Sequence, residues 1–398
     1  MDKNTKVTIM GLGYIGLPTA ALIASKGINV LGVDVQQKVV DIINSGKIHI
    51  VEPELDGIVK HDVERGFLKA ATEPQKADVF LIAVPTPFKG SEHEPDLKYV
   101  DSATRMILPQ LEEGNLFIIE STSPVGTTEK MATLIFSERP ELEGKIYIAY
   151  CPERVLPGNV IYELKNNDRA IGGIDEASTK KAVEFYRLFV TGDLHETNAR
   201  TAEMTKLVEN ASRDVQIAFA NELSMICDEV NIDVWELINL ANKHPRVHIL
   251  QPGTGVGGHC IAVDPWFIVS EFKEKAKIIR TAREINNYKT EWVIEKIKNK
   301  ALEFELKEGR KPKIACFGLA FKPNIDDLRE SPALQVVNSL TLDGFDVLAV
   351  EPNVTIKDEK GIRLYSIEDA IQKSDIGFKL VNHSSFKSLP KQIQNFVN

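Results

Sequence analysis

Short apolar runs bounded by glycine, proline and polar clusters recur along the first half of the chain, and most are followed by a stretch with helical apolar spacing. KVTIM (Lys6 to Met10) reads as a buried strand, followed by a glycine turn and the apolar helix LPTAALIASKG. INVLGVD, closing at Asp34, reads as a second strand. ADVFLIAVPTP, NLFIIESTSPVGT and KIYIAYCPERVLPG continue the series. Strands of this kind, alternating with helices, predict an open parallel sheet.

From Thr201 the apolar period becomes helical. TAEMTKLVENASRDVQIAFANELSMICDEV holds no proline or glycine, and Thr201 is its expected cap, assisted by Glu203. Lys206, Asn210 and Arg213 are spaced to share one face of it. A second helix, VWELINLANKHP, leads to His244 and Arg246, and a third long helix runs from Lys277 to about Leu306. After the linker GRKPK, the strands IACFGL and DGFDVLAVEP repeat a βαβ pattern without the full glycine motif. The chain ends soon after SDIGFKLVNHSSF and is expected to lack a last strand. The predicted fold is α/β, with two Rossmann-like domains (1–195 and 307–398) joined by a central helical domain (196–306), a kind of segment that often forms dimer contacts.

Composition narrows the function classes. A net charge of -9 argues against nucleic acid as a partner, although local cations can still hold an anionic ligand. No apolar run is long enough to span a bilayer and the N-terminus lacks a secretory pattern, so a cytoplasmic location is expected. Cys151, Cys227, Cys260 and Cys316 form no CxxC pair, which fits thiols in a reducing compartment rather than a metal site.

GLGYIG places Gly11, Gly13 and Gly16 between a strand and a helix, the context a dinucleotide-binding turn requires. Asp34 stands where that motif wants a carboxylate for a ribose hydroxyl, and no arginine follows for a 2′-phosphate, so NAD is the expected cofactor. Thr86, the Ser121–Thr122–Ser123 run and the Glu153–Arg154 pair fall at strand ends, where a ligand would lie; turn and cap chemistry explains such residues equally well. In PGTGVGGHCIAVDPW, Cys260 stands behind a run of glycines and four residues ahead of Asp264. Residue types alone leave it open between a nucleophile and a small buried hydrophobe. Lys322 and Arg329 are likewise open between anion-binding residues and surface cations.

Taken together, GLGYIG, VPTPF, STSPVGT, TAEMTKLVEN, GVGGHC and FGLAFKPNIDDLRESP, in that order, resemble the nucleotide-sugar 6-dehydrogenases, the family of UDP-glucose and GDP-mannose dehydrogenases. IHIVEPEL, AYCPERVLPG and NKHPRVHILQPGTGVGGHCIAVDPWF look like the branch that acts on UDP-N-acetyl-D-mannosamine. UDP-glucose members usually carry PEFLREG where this chain has PERVLPG, with Pro157 in place of a carboxylate, and SCFPKD where it has HCIAVD.

The resemblance implies oxidation of the sugar C6 alcohol to a carboxylate with two NAD and one water, through a Cys260 thiohemiacetal and thioester. Lys206 then matches the residue that moves the alcohol proton, Asp264 a carboxylate that aids base chemistry, and Asn210 an oxyanion donor. Tyr14, Ile15, Asp34, Thr86, Thr122 and Arg329 match cofactor positions, alongside the three glycines. Glu153, Arg154, Val155, Arg213, His244, Arg246, Gly257 and Lys322 match substrate positions, with Lys206 and Asn210. A homodimer is implied, with His244 and Arg246 reaching into the neighbouring subunit's site. The family's final strand, with its late glycine and aromatic residue, is expected to be missing. The competing expectations are another UDP-sugar 6-dehydrogenase, such as one for UDP-N-acetylglucosamine, a single-step hydroxyacid dehydrogenase, and a non-catalytic nucleotide-sugar sensor.

Overall fold

The computed structural model describes residues 1–2, 4–50, 52–90, 93–155, 158–354, 358–359, 361–390 and 393–396. It divides into two compact units, Met1–Val208 and Glu209–Asn398.

The first unit is built on eight strands: β1 Lys6–Met10, β2 Asn29–Val33, β3 Leu68–Ala71, β4 Val79–Ile82, β5 Leu116–Ile119, β6 Tyr147–Tyr150, β7 Arg169–Gly173 and β8 Leu194–Asn198. They form one sheet in the order β8-β7-β6-β5-β4-β1-β2-β3. All neighbours are parallel except β6 and β7. Every residue of β4 and β5 is buried, which is why both read as unbroken apolar runs rather than alternating ones. All nine residues of helix α1 (Gly16–Ala24) are buried as well. The chain runs from β1 outward to β3, then crosses back to β4 and outward the other way, so the strand order reverses between β1 and β4. Ligands of open parallel sheets bind at such a reversal, outside the carboxyl ends of the strands.

Helix α2 spans Thr127–Glu138 and helix α3 spans Ala199–Glu229, the unit boundary falling within α3. The expected cap of α3 is corrected. Its first turn is closed by Asn198, whose Oδ1 accepts the Thr201 N–H at 2.9 Å. Glu203 does not assist that cap. It is fully buried, and its carboxylate accepts the Gly126 N–H at 2.6 Å and the Thr128 N–H and hydroxyl at 2.7 Å each. It therefore satisfies the N-terminus of α2, where backbone donors have no helical partner.

The second unit contains α4 (Val234–Ala241), α5 (Asp264–Phe272), α6 (Lys277–Glu308) and α7 (Pro332–Leu342), with a parallel sheet of β9 Lys313–Phe317, β10 Asp346–Val350, β11 Ile376–Lys379 and β12 Gln394–Asn395 in the order β10-β9-β11-β12. The expected loss of a last strand is thus corrected. Two residues, Gln394 and Asn395, pair with Phe378 and Lys379. The next residue, Phe396, is buried, stacking on Phe378 at 5.8 Å and meeting Trp292 edge-on at 6.2 Å. So short a strand is invisible to periodicity. Among the described residues no helix is long and apolar enough to cross a membrane.

Candidate active site

In the first unit the glycine turn has the shape a dinucleotide needs. A Cβ on Gly16 would stand 1.8 Å from the Gly11 carbonyl oxygen, and one on Gly11 2.6 Å from that of Ala83, so turn, helix and sheet close up only with hydrogen at both places. A Cβ on Gly13 would meet nothing within 4 Å, leaving that face of the backbone open to a pyrophosphate. Asp34, half-buried, accepts the Leu12 N–H at 3.2 Å and the Gln36 N–H at 3.0 Å. These bonds hold its carboxylate beside the turn, where a ribose diol would sit. Tyr14 is exposed, Ile15 is half-buried, Thr86 follows β4 and is buried, and Thr122 follows β5 and is half-buried. The parallel strands bring Gly11, Asp34, Thr86, Thr122 and Glu153 to one edge of the sheet. The residues present therefore fit NAD.

Glu153 is buried under that edge. Its carboxylate stands 3.6 Å from the Arg169 guanidinium and accepts the Arg154 N–H at 2.7 Å. Arg169 also lies 3.8 Å from Glu120, which accepts the Tyr186 hydroxyl at 2.6 Å. Burial, set against one guanidinium shared by two carboxylates, pushes Glu120 up to about 7. The Arg154 guanidinium donates to the Asp168 carbonyl. Val155 is half-buried, and Pro157 lies outside the described residues. Sequence reasoning missed Glu52, whose carboxylate accepts the Gly158 N–H at 2.9 Å and the Val160 N–H at 2.7 Å and so anchors the far end of this loop. The signal lay in the IHIVEPEL segment, 106 residues away from its partner.

The four cysteines stand in different environments. Burial raises Cys227, pushes Cys316 up to about 12 and, in the first unit, Cys151 up to about 11. Those three are buried thiols of the inert kind. Cys260 alone is exposed. Its carbonyl accepts the Val263 and Asp264 N–H groups at 3.0 and 2.8 Å, so the thiol stands on the turn that opens α5. Asp264 is buried in the first turn of that helix, and its carboxylate accepts the Asn210 side-chain amide at 2.5 Å. Lys206 lies one turn before Asn210 on α3 and is half-buried.

The glycine-rich loop ahead of Cys260 is packed tightly against the chain. A Cβ on Gly257 would meet the Glu330 carbonyl oxygen at 2.4 Å, and the Gly258 N–H donates to the Arg329 carbonyl at 3.2 Å. The loop is held from behind by buried polar side chains that sequence reasoning did not single out. Asn221 accepts the Gly253 N–H at 2.8 Å and the Thr290 hydroxyl donates to the Thr254 carbonyl at 3.1 Å. Behind them, Arg283 and Asp214 form a buried pair at 2.7 Å.

Arg213 and Lys322 line one cavity of about 610 Å³, with Phe321, Gln251, Thr254 and Gly255 among its walls. Two cations in a largely apolar hollow suit an anion carrying a flat ring. His244 and Arg246 do not line it; they are exposed on the turn after α4. Arg329 is exposed and ion-paired with Asp327 at 2.7 Å.

Comparison with known proteins completes the identification. Residues 5–190 match the NAD-binding domain of the UDP-glucose/GDP-mannose dehydrogenase family, residues 200–288 its central domain and residues 315–398 its UDP-binding domain. The chain belongs to the UDP-glucose/GDP-mannose dehydrogenase family. It is an NAD-dependent oxidoreductase of that family, and this removes the hydroxyacid-dehydrogenase and sensor expectations. It is 55% identical to the UDP-N-acetyl-D-mannosamine dehydrogenase of Campylobacter jejuni, over 97% of each chain. It is 52% identical to the NDP-N-acetyl-D-galactosaminuronic acid dehydrogenase of Ralstonia nicotianae, over 96% of this chain and 92% of that one. Among solved structures it resembles the UDP-D-ManNAc dehydrogenase of Pyrococcus horikoshii, with a TM-score of 0.88 and 40% identity over 99% of this chain and 95% of that one.

Proposed function

We propose that this dehydrogenase oxidises C6 of UDP-N-acetyl-D-mannosamine to the carboxylate, giving UDP-N-acetyl-D-mannosaminuronic acid. The observation that carries the chemistry is the exposed Cys260 thiol on the turn that leads into the buried Asp264, whose carboxylate is bonded to the half-buried Asn210. The similarity to UDP-N-acetyl-D-mannosamine dehydrogenases supports the choice of sugar.

NAD, held at the Gly11–Gly16 turn and Asp34, would supply the hydride acceptor for each of the two half-reactions. The chain's own residues do the rest. Lys206 relays the C6 hydroxyl proton, and its charge steadies the developing oxyanion, with Asn210 as a second donor. The Cys260 sulfur adds to the aldehyde carbon to give a tetrahedral thiohemiacetal, and loss of the second hydride leaves a thioester. Water then attacks the thioester carbon, Asp264 assisting removal of its proton, and the carbon–sulfur bond breaks to return the thiol and release the acid. In sum, one alcohol, one water and two NAD+ give one carboxylate, two NADH and three protons.

Arg213 and Lys322 hold the anionic part of the substrate, and Glu153, Arg154, Val155 and Gly257 shape the sugar side. Tyr14, Ile15, Asp34, Thr86, Thr122 and Arg329 serve the cofactor. The layout is three domains, 1–195, 196–306 and 307–398, in a cytoplasmic homodimer to which His244 and Arg246 contribute across the subunit boundary. The exposure of both residues, away from the cavity of their own unit, supports that last role.

The test is kcat/KM for UDP-N-acetylmannosamine, UDP-N-acetylgalactosamine, UDP-N-acetylglucosamine and UDP-glucose with one enzyme batch. UDP-N-acetylmannosamine is expected to lead, with UDP-glucose feeble, because a site built to pair an amide leaves polar groups unpaired against a plain hydroxyl. A lead for another sugar would transfer the assignment to it.

A further inference from the structure

The two units carry the same device at the same place, put to different use. In the first, Asp34 closes β2 and its carboxylate takes the Leu12 and Gln36 N–H groups. In the second, Glu351 follows β10, and its carboxylate takes the Leu319 and Ala320 N–H groups at 2.8 and 2.9 Å and the Asn353 N–H at 3.0 Å. Each carboxylate grips the turn after the preceding strand and the backbone two residues on. Asp34 remains half-buried, but the Glu351 side chain has no exposed surface, because His383 covers it with Nε2 3.0 Å from its Oε2.

The other face of the imidazole fixes its protonation pattern. Nδ1 accepts the Asn324 N–H and the Asn353 side-chain amide, both at 2.9 Å, so the hydrogen sits on Nε2 and is donated to Glu351. Asn324 in turn accepts the Ser384 N–H at 2.8 Å and holds a left-handed backbone with φ of 62°. The loop from Leu319 to Asn324 is thereby pinned at both ends by two side chains bonded to each other. Between the pins stand Phe321, Lys322 and Pro323, all lining the 610 Å³ cavity.

We propose that Glu351 and His383 are positioning residues for substrate binding, fixing the Leu319–Asn324 loop so that Lys322 meets the diphosphate of the nucleotide sugar. The carboxylate that would hold a ribose in a dinucleotide site is here turned inward to build an anion-binding loop. This deepens the functional reading above and rests on its assignment of the cavity.

The experiment measures the UDP dissociation constant by calorimetry and the steady-state constants for the wild type, His383→Gln, Glu351→Gln and Lys322→Ala, with both double variants that include Lys322→Ala. Each anchor variant is expected to raise the UDP Kd and the nucleotide-sugar KM together, roughly tenfold, with kcat and the NAD KM held within about twofold. Adding Lys322→Ala is expected to worsen binding by less than the product of the single effects, because the anchors act through that lysine. Two results would overturn the proposal: a lowered melting temperature with UDP Kd and sugar KM unchanged, or fully multiplicative effects with Lys322→Ala. Glu351→Gln keeps the shape of the carboxylate and serves if His383→Gln does not fold. Wild-type affinity for UDP reports on the assignment of the cavity, whereas the ratio of variant to wild type reports on the anchor.

Discussion

Asn210 hands its side-chain amide to the Asp264 carboxylate across 2.5 Å, tying α3 to the first turn of α5. The Asp264 N–H meanwhile bonds to the Cys260 carbonyl at 2.8 Å, so the carboxylate and the thiol belong to one turn whose orientation α3 sets. Asp264→Asn keeps the shape and removes the charge. It is expected to lower kcat by roughly 100- to 10,000-fold, with the NAD KM unchanged. Asn210→Ala frees the carboxylate to turn and is expected to lower kcat less. Steady-state rates of both variants check this; an Asp264→Asn enzyme with wild-type kcat would remove the carboxylate from the chemistry.

Asp34 should decide cofactor choice. Its alanine variant is expected to raise the NAD KM roughly tenfold, since a ribose hydroxyl loses its charged acceptor. NADP should be a poor substitute for the wild type, because the Asp34 carboxylate would face the 2′-phosphate. Initial rates with both cofactors test the pair, and equal kcat/KM for NAD and NADP would contradict it.

How much of this was legible in the sequence varies with distance along the chain. The glycine turn, Asp34, the apolar strands β4 and β5 and the long helices are local patterns, and each stands where the sequence places it. β3, β7 and β8 are not legible in the sequence, because stretches such as LKAA and LHETN are short and partly exposed, and their strand character comes from pairing with a neighbour. The buried charges were harder still. Glu203 reads in the sequence as a helper of the α3 cap, yet its partners lie 75 to 77 residues earlier. Glu351 and His383 are 32 residues apart and join only because β10 and β11 both pair with β9 in the second unit. Cys260 is ambiguous in the sequence, because its exposure beside three buried thiols is a property of the fold.

Glu203 carries a prediction of its own. Glu203→Ala would strand the N–H groups of the half-buried Gly126 and the buried Thr128 and is expected to destabilise the first unit by about 2 kcal/mol. Glu203→Gln keeps one acceptor oxygen and should recover part of that. Denaturant midpoints of the three proteins measure it, and an alanine variant as stable as the wild type would show the cap to be idle.

The Glu120 carboxyl gives a pH dependence with a definite sign. Burial raises it to about 7 from an ordinary value near 4.5. The folded protein therefore holds the proton more tightly than the unfolded chain. The stability this contributes is fully present below about pH 4.5 and is lost as the pH rises through 7, about 3 kcal/mol in all. Glu120→Gln, which can still accept the Tyr186 hydroxyl, should lack this term. The difference in unfolding free energy between variant and wild type is expected to change by that amount from pH 4 to pH 8. A difference that does not vary with pH would mean that Glu120 holds its proton no more tightly in the fold than in the unfolded chain.

The most direct test counts NADH. With limiting UDP-N-acetylmannosamine and excess NAD, the wild type is expected to form two NADH for each sugar consumed and to release the uronic acid, identified by mass. Cys260→Ser, a far poorer nucleophile near neutral pH, is expected to bind NAD normally but not to complete that conversion. One NADH per sugar in the wild type, or full conversion to the acid by Cys260→Ser, would contradict the covalent four-electron mechanism.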